Sequence, residues 1–174
     1  ELFCARDRLG IKPFFYYTDA DSFYFASEIK ALLAMGVKAI ENQEMIFDYL
    51  YYGFYDHTNN TFFKNIQKLP AGHYILINKH GHKIKKYWDL DQPMYDYGKM
   101  TDQEIEKKFS ELLADSLSLR FRSDVPVGLN LSSGLDSNSL YYFAQHVLGI
   151  KNLNIFSMGL PSQDYDECTL IDGY

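Results

Sequence analysis

Between Val125 and Met158 the sequence can be satisfied by few folds, because four patterns follow one another in a fixed order. "VPVGLNL", Val125 to Leu131, is an apolar run of strand length, and "SSGLDS" interrupts it. Leu140, Phe143, Ala144, Val147 and Leu148 then recur at i, i+3, i+4, i+7 and i+8, the spacing of one helix face, and Gly149 ends the pattern. "LNIFSM" supplies a second strand. Strand, loop, helix and strand in this order predict a βαβ unit, with parallel strands and the helix crossing one face.

The loop that leaves a strand of such a unit lies at the carboxyl edge of the sheet, where open α/β folds bind ligands. "SSGLDS" sits there, and so does "SMGLP", Ser157 to Pro161, after the neighbouring strand. The helix, with its start expected near Asp136 or Ser137, points unpaired N–H groups and partial positive charge into the cleft between them. Ser132, Ser133 and Ser137 add hydroxyl donors, and Gly134 lets the backbone approach an anion closely. No lysine is present, and the spacing is not GxxxxGK[ST]. Asp136 would repel a phosphate unless a divalent cation lay between them, so the loop predicts Mg²⁺ held by Asp136 and a polyphosphate. The plainer alternative is a serine-rich turn with Asp136 as an ordinary N-cap.

Upstream, residues 1–88 read as strand-rich. "PFFYYTDADSFYFA" places two aromatic runs around a turn from Asp19 to Ser22. "SEIKALLAMG" predicts a short helix with Ser27 as N-cap and Gly36 at its stop, and "NQEMIFDYLYYGF" a second with Met45, Tyr49 and Tyr52 on one face. "HYILI" and "KIKKYW" flank "NKHGH", a hairpin turned at Gly81. Residues 89–100, "DLDQPMYDYGKM", lack periodicity and read as a linker. From Thr101 the chain resumes as a helix, with Thr101 and Glu104 as a capping box and Ile105, Phe109, Leu112, Leu113 and Leu119 as its apolar stripe.

Composition narrows the function classes. An apolar share of 47% fits a core-burying chain, and the 15 Tyr and 13 Phe suit buried aromatic surface better than base stacking. With 17 Lys and Arg, a net charge of -6 and no basic run, a nucleic acid partner is excluded. The two cysteines, Cys4 and Cys168, suggest neither a disulfide framework nor a zinc site, which fits a reducing, cytoplasmic setting. No apolar stretch approaches the ~18 residues of a membrane span. A start at Glu1 and a stop at Tyr174 lead us to expect an internal fragment.

"DVPVGLNLSSGLDS" resembles the ATP-pyrophosphatase loop, usually S-G-G-[LI]-D-S, of the glutamine-dependent asparagine synthetases. "ARDRLGIKPFFYY" (Ala5 to Tyr17), "FASEIKAL" (Phe25 to Leu32) and "TFFKNIQKLPAGHYILI" (Thr61 to Ile77) are similar, in the same order, to segments of that family's glutaminase domain. The resemblance implies a mixed α/β and α+β chain of two partial domains. Residues 1–88 would be the C-terminal part of an N-terminal-nucleophile (αββα) glutaminase, and residues 101–174 the start of a parallel-sheet ATP-pyrophosphatase domain. It implies ATP and Mg²⁺ as cofactors, aspartate and glutamine as substrates, and leaves homodimerisation open. Leu131 and Met158 would contact the nucleoside, Ser132, Ser133, Gly134, Leu135, Asp136, Ser137 and Gly159 the ATP and its pyrophosphate, and Asp136 the metal. Aspartate would be adenylated on its side-chain carboxylate and amidated with glutamine-derived ammonia. A related adenylating amidotransferase or cyclase, or a scaffold that keeps the fold, are the alternatives.

The resemblance also implies that the glutaminase nucleophile, an N-terminal cysteine, is not in this stretch; Cys4 reads as a core residue, so neither catalytic centre is complete. Ser133 stands where the family usually has glycine, and a left-handed backbone there would strain it by about 1 to 2 kcal/mol. Asn138 stands where serine is common. Arg6, Asp7, Arg8 and Lys12 read as a structural ion-pair network rather than a catalytic cluster, and Asp164, Asp166 and Glu167 as a solvated loop. The five histidines show no ligand spacing.

Overall fold

The computed structural model describes residues 1–91 and 97–159. Asp164, Asp166, Glu167 and Cys168 lie outside them. The chain is a mixture of helix and strand in two compact units, Glu1–Met94 and Tyr95–Tyr174.

In the first unit, β1 (Leu2–Ala5) pairs antiparallel with β5 (His73–Asn78), and β5 with β6 (Gly81–Lys86). A second antiparallel sheet has β2 (Phe15–Thr18) between β3 (Phe23–Ala26) and β4 (Gln67–Lys68). The β2–β3 turn is built as expected: Asp19 Oδ1 accepts the N–H groups of Asp21 and Ser22 at 3.0 and 2.8 Å. The β5–β6 hairpin differs in detail. Asn78 pairs with Gly81, so Lys79 and His80 form the two-residue loop and Gly81, at φ 116°, opens β6. Strand β6 is exposed along its whole length, and its lysines guard that sheet edge against pairing with other chains.

Side chains alternate along β2 and join three layers. Tyr16 packs with Cys4, Leu69 and Ile75 between the two sheets, while Phe15 and Tyr17 face the cluster of Leu32, Val37 and Ile66 on the other side. Leu32 comes from α1 (Ile29–Ala34), whose N-cap is Glu28 and not Ser27; no side chain caps it. Helix α2 (Gln43–Tyr52) buries Met45 to 1% exposure, but Tyr49 and Tyr52 stand about half exposed. The expected three-residue face is therefore a single anchor. The aromatic side chains of α2 contact one another instead, Phe47 stacking on Tyr51 at 5.5 Å and Tyr51 meeting Tyr52 edge-on at 4.6 Å.

In the second unit a 3₁₀ turn, Tyr97–Lys99, precedes α3 (Asp102–Arg120). The capping box is present: Glu104 N–H donates to Thr101 Oγ1 at 3.3 Å and Thr101 N–H to Glu104 Oε2 at 2.8 Å. The Thr101 N–H, and after it the Thr101 hydroxyl at 2.9 Å, donate to Glu104 Oε2 and hold that carboxyl below its usual range. The stripe does not behave as expected. Leu117 is the buried residue of α3, whereas Phe109 is 62% exposed and Leu112 and Leu119 are exposed too. Strands β7 (Gly128–Asn130) and β8 (Asn154–Phe156) pair in parallel, Leu129 opposite Ile155. Between them α4 (Leu135–Tyr142) runs into a π-helical turn, Phe143–Val147. The βαβ order stands, though β7 is shorter than Val125 to Leu131. Helix α3 lies against the π turn, in which Ala144 is buried. Gly128 belongs to the packing: a Cβ there would come within 2.6 Å of the Phe156 ring.

Candidate functional site

At the carboxyl edge of β7 and β8, Asn130, Leu131, Ser132, Phe156, Ser157 and Met158 line a cleft of about 400 Å³. Parallel pairing continues one step past the strands, with Leu131 N–H donating to the Phe156 carbonyl at 2.8 Å. Ser157 Oγ donates to the Leu131 carbonyl at 2.9 Å, tying the two loops together. Leu131 is buried, and Met158 is 73% exposed at the cleft mouth. Gly159 follows it, also exposed.

Helix α4 begins one residue earlier than the expected Asp136 or Ser137. Gly134 is its N-cap, in extended backbone at φ -74° and ψ 151°, and no side chain caps the helix start. Asp136 is thus the second helical residue rather than the cap. There its charge lies in the favourable first turn, exposed and with no ion pair among the described residues. Leu135 is exposed beside it.

The serines divide into two kinds. Ser137 Oγ accepts Ser132 N–H at 3.1 Å and lies 3.1 Å from the carbonyls of both Ser132 and Gly134. Ser132 Oγ accepts Gly134 N–H at 3.2 Å and shares a hydrogen bond of 2.9 Å with Ser137 Oγ. These two hydroxyls close the loop on itself. Ser133 Oγ has no hydrogen-bond partner among the described residues. Nor is Ser133 strained: Asn152 is the one non-glycine residue with positive φ among the described residues, so the expected cost at Ser133 does not arise.

Sequence reasoning passed over two contributors. Asn138 Nδ2 donates to the Ser132 and Gly134 carbonyls at 3.0 and 2.8 Å, a clamp visible in sequence only as an amide one turn into the helix. Phe156 lines the cleft from the end of β8, and nothing in an apolar run singles out its last residue.

Other sequence candidates are placed elsewhere. Arg6 Nε, Nη1 and Nη2 donate to the carbonyls of Lys12, Leu69 and Gly10 at 2.9, 2.7 and 2.8 Å. Asp7 accepts the N–H groups of Ile11 and Lys12, each at 2.9 Å. The turn is therefore held by side chains satisfying backbone groups, not by the expected ion pairs. These bonds, Lys12 first, hold the Asp7 carboxyl below its usual range. Cys4 is a buried free thiol in the sheet-to-sheet core, its pKa raised by desolvation. His57 Nε2 meets Asp48 Oδ2 at 2.9 Å, and no group of three or more metal-ligating side chains occurs among the described residues. No helix among them is long and apolar enough to cross a membrane.

Comparison with known proteins matches two stretches of the chain to two families. Residues 1–88 match the glutamine amidotransferase domain family, and residues 108–172 match the asparagine synthase family. A Methanocaldococcus jannaschii protein provisionally named glutamine-hydrolyzing asparagine synthetase 2 is 37% identical, the alignment covering 98% of this chain and 33% of that protein. Bacillus subtilis glutamine-hydrolyzing asparagine synthetase 2 is 35% identical over 90% of this chain and 22% of its own length. Amidase chry2 of Gibberella zeae is 31% identical over 93% of this chain and 24% of that protein. The chain spans a third or less of the length of these relatives. With residues 1–88, half of its length, matched by that family, the chain belongs to the glutamine amidotransferase domain family, and its residues 108–172 are similar to the asparagine synthase family.

Proposed function

We propose that this chain is part of a glutamine-hydrolysing asparagine synthetase. In this reading residues 1–88 are the C-terminal part of an αββα glutaminase domain, 89–100 the linker, and 101–174 the start of the ATP-pyrophosphatase domain. One helical layer and two antiparallel sheets in the first unit, and a parallel βαβ unit in the second, support it. The observation that carries the reading is the cleft edge itself. The loop that leaves the C-terminal end of two parallel strands runs into a helix start that no side chain caps, with Asp136 exposed in its first turn and in no ion pair among the described residues.

Leu131 and Met158 would flank the nucleoside of ATP, and the stretch from Ser132 to Ser137 with Gly159 would hold its pyrophosphate portion. The free N–H groups of Leu135 and Asp136 are suited to phosphate oxygens. Asp136, a hard oxygen ligand with no cationic partner among the described residues, fits Mg²⁺, which one carboxylate together with substrate phosphates commonly holds. When bound, the metal would offset charge on the pyrophosphate. An oxygen of the aspartate side-chain carboxylate attacks the α-phosphorus, and the bond to pyrophosphate breaks. Ammonia then attacks the acyl carbon, AMP leaves, and the proton passes to solvent, giving asparagine. Rate enhancement comes from alignment and charge stabilisation, with no covalent bond to the protein.

The test is pyrophosphate release from ATP by the full-length protein with ammonia and aspartate. Release that depends on aspartate and stops in Asp136→Ala supports the proposal; no release with aspartate sinks it. A second reading has a specific basis, since two of the relatives bear the name amidase. A panel of other carboxylic acids in the same assay separates that acceptor chemistry from asparagine formation. The 174-residue chain by itself is not expected to catalyse either half-reaction. A non-catalytic scaffold would show no metal-dependent ATP binding at all.

A further inference from the structure

Separate from the cleft, we propose that the β6 edge of the first unit is a docking site for an extended acidic segment of a partner protein, which joins the sheet as its next strand with acidic, apolar and acidic side chains in alternation. Among the described residues β6 is the outer strand of the β1–β5–β6 sheet, and it is exposed along its whole length. The pairing register shows which of its backbone groups are open. Asn78 and Gly81 flank a two-residue loop and so form a hydrogen-bonded pair, and bonded pairs recur at every second position, Leu76 with Lys83 and Tyr74 with Lys85. The Tyr87 N–H, donating to the Gly72 carbonyl at 2.8 Å, continues that alternation. The N–H and C=O groups of His82, Ile84 and Lys86 therefore point away from β5, toward the open edge.

Charge selects the occupant. No Asp or Glu occurs between Asp56 and Asp89, although the chain carries a net charge of -6, so the hairpin is a basic island on an acidic protein. Lys86 pairs with Asp89, whereas Lys83 and Lys85 are in no ion pair among the described residues. The register sets Lys83 and Lys85 on one face of the sheet, opposite Leu76 and Tyr74, and His82 and Ile84 on the face turned toward Tyr16. A strand laid against β6 brings alternate side chains opposite Lys83 and Lys85, where carboxylates are favoured, and the one between them opposite Ile84, where an apolar residue is. Lysines that repel a second copy of this edge thus admit an acidic strand. A polyanion without a strand backbone would meet the charge but leave the open N–H and C=O groups unpaired.

Titration of the full-length protein with an end-capped peptide of alternating Glu and Val tests this. Binding should weaken as salt is raised, and fall about tenfold when Lys83→Ala and Lys85→Ala are combined, the worth of two cross-strand charge pairs. Ile84→Pro removes a donor from the open edge and none from the pairing with β5, so it should abolish binding. Because a proline can also disturb the strand, the same peptide N-methylated along its backbone, with its charge kept and its donors lost, should fail to bind the wild-type protein. Wild-type protein that binds no Glu-Val peptide overturns the proposal. Equal binding of the N-methylated peptide, or of a single-stranded oligonucleotide of the same charge, overturns it too, since either shows a polyanion surface and not a strand site. Undiminished affinity in the double lysine variant overturns the selection by charge.

Discussion

Asp136 and Asp7 are both carboxylates beside turns, yet their surroundings differ. Asp7 has its oxygens filled by backbone N–H groups, so its charge is part of the fold. Its pKa is lowered in the folded state, so the stabilisation is present above the unfolded value of about 3.9 and is lost as pH falls through the folded value. Asp7→Asn should thus be less stable than wild type at pH 7, with the gap closing only as pH falls below the unfolded value of about 3.9; thermal unfolding across acidic pH checks it. Asp136 is exposed with no ion pair among the described residues, so its removal leaves packing intact. Asp136→Asn should lower the unfolding temperature only slightly, through the loss of a favourable first-turn charge, but lose at least about tenfold in Mg-ATP affinity, as expected when a metal loses a ligand or its support. Calorimetric titration with and without Mg²⁺ measures the difference. An unchanged affinity would remove Asp136 from the site.

Helix α3 shows how far a local pattern carries at the scale of an element. The Thr101 and Glu104 box is local chemistry, complete within four residues, and it forms. Thr101→Ala should cost about 1 kcal/mol and raise amide exchange at Glu104 and Ile105 severalfold, with exchange in α2 unchanged. Gly72 is a different case, set by approach and not by pattern. Its φ is 67° and an added Cβ would come within 2.8 Å of the Trp88 carbonyl oxygen, while its own carbonyl takes the N–H groups of Tyr87 and Trp88. Gly72→Ala should destabilise the end of the β5–β6 hairpin by about 2 kcal/mol or more. Gly36→Ala, also at positive φ but with open space around it, should cost only the backbone strain of about 1 kcal/mol. Equal unfolding temperatures for the two variants would contradict this.

For the whole molecule, apolar surface is unevenly covered. The two sheets and α1 enclose real cores, but Phe47, Leu50 and Tyr51 of α2 and Phe109 of α3 stand largely exposed. A two-stranded parallel sheet of three residues a side is also marginal without neighbours. Relatives three or more times as long supply such neighbours in principle. The 174-residue chain expressed alone should therefore bind a hydrophobic dye and self-associate, whereas the full-length protein should not. Light scattering at matched concentration distinguishes the two. An isolated chain that stays monomeric and dye-free would show that these faces need no cover.

Order and type of the main elements were legible in the sequence, because turns, caps and periodicity act over a few residues. The β2–β3 turn, the capping box and the βαβ order with its cleft-edge loop all belong to that class. Burial was not legible in the same way: Met45 is buried while Tyr49 and Tyr52 are exposed, and the α3 stripe is largely uncovered, since a face is buried only where another element meets it. The hydrogen-bond partners of Arg6 were equally out of reach, because one of its carbonyl acceptors, that of Leu69, comes from a distant strand end. The loop from Ser132 to Ser137 lies between these extremes. Residue types led us to expect an anion-binding edge, but which hydroxyl has no partner among the described residues followed from a network closed by Asn138 and Ser157, whose partners only the folded chain brings together.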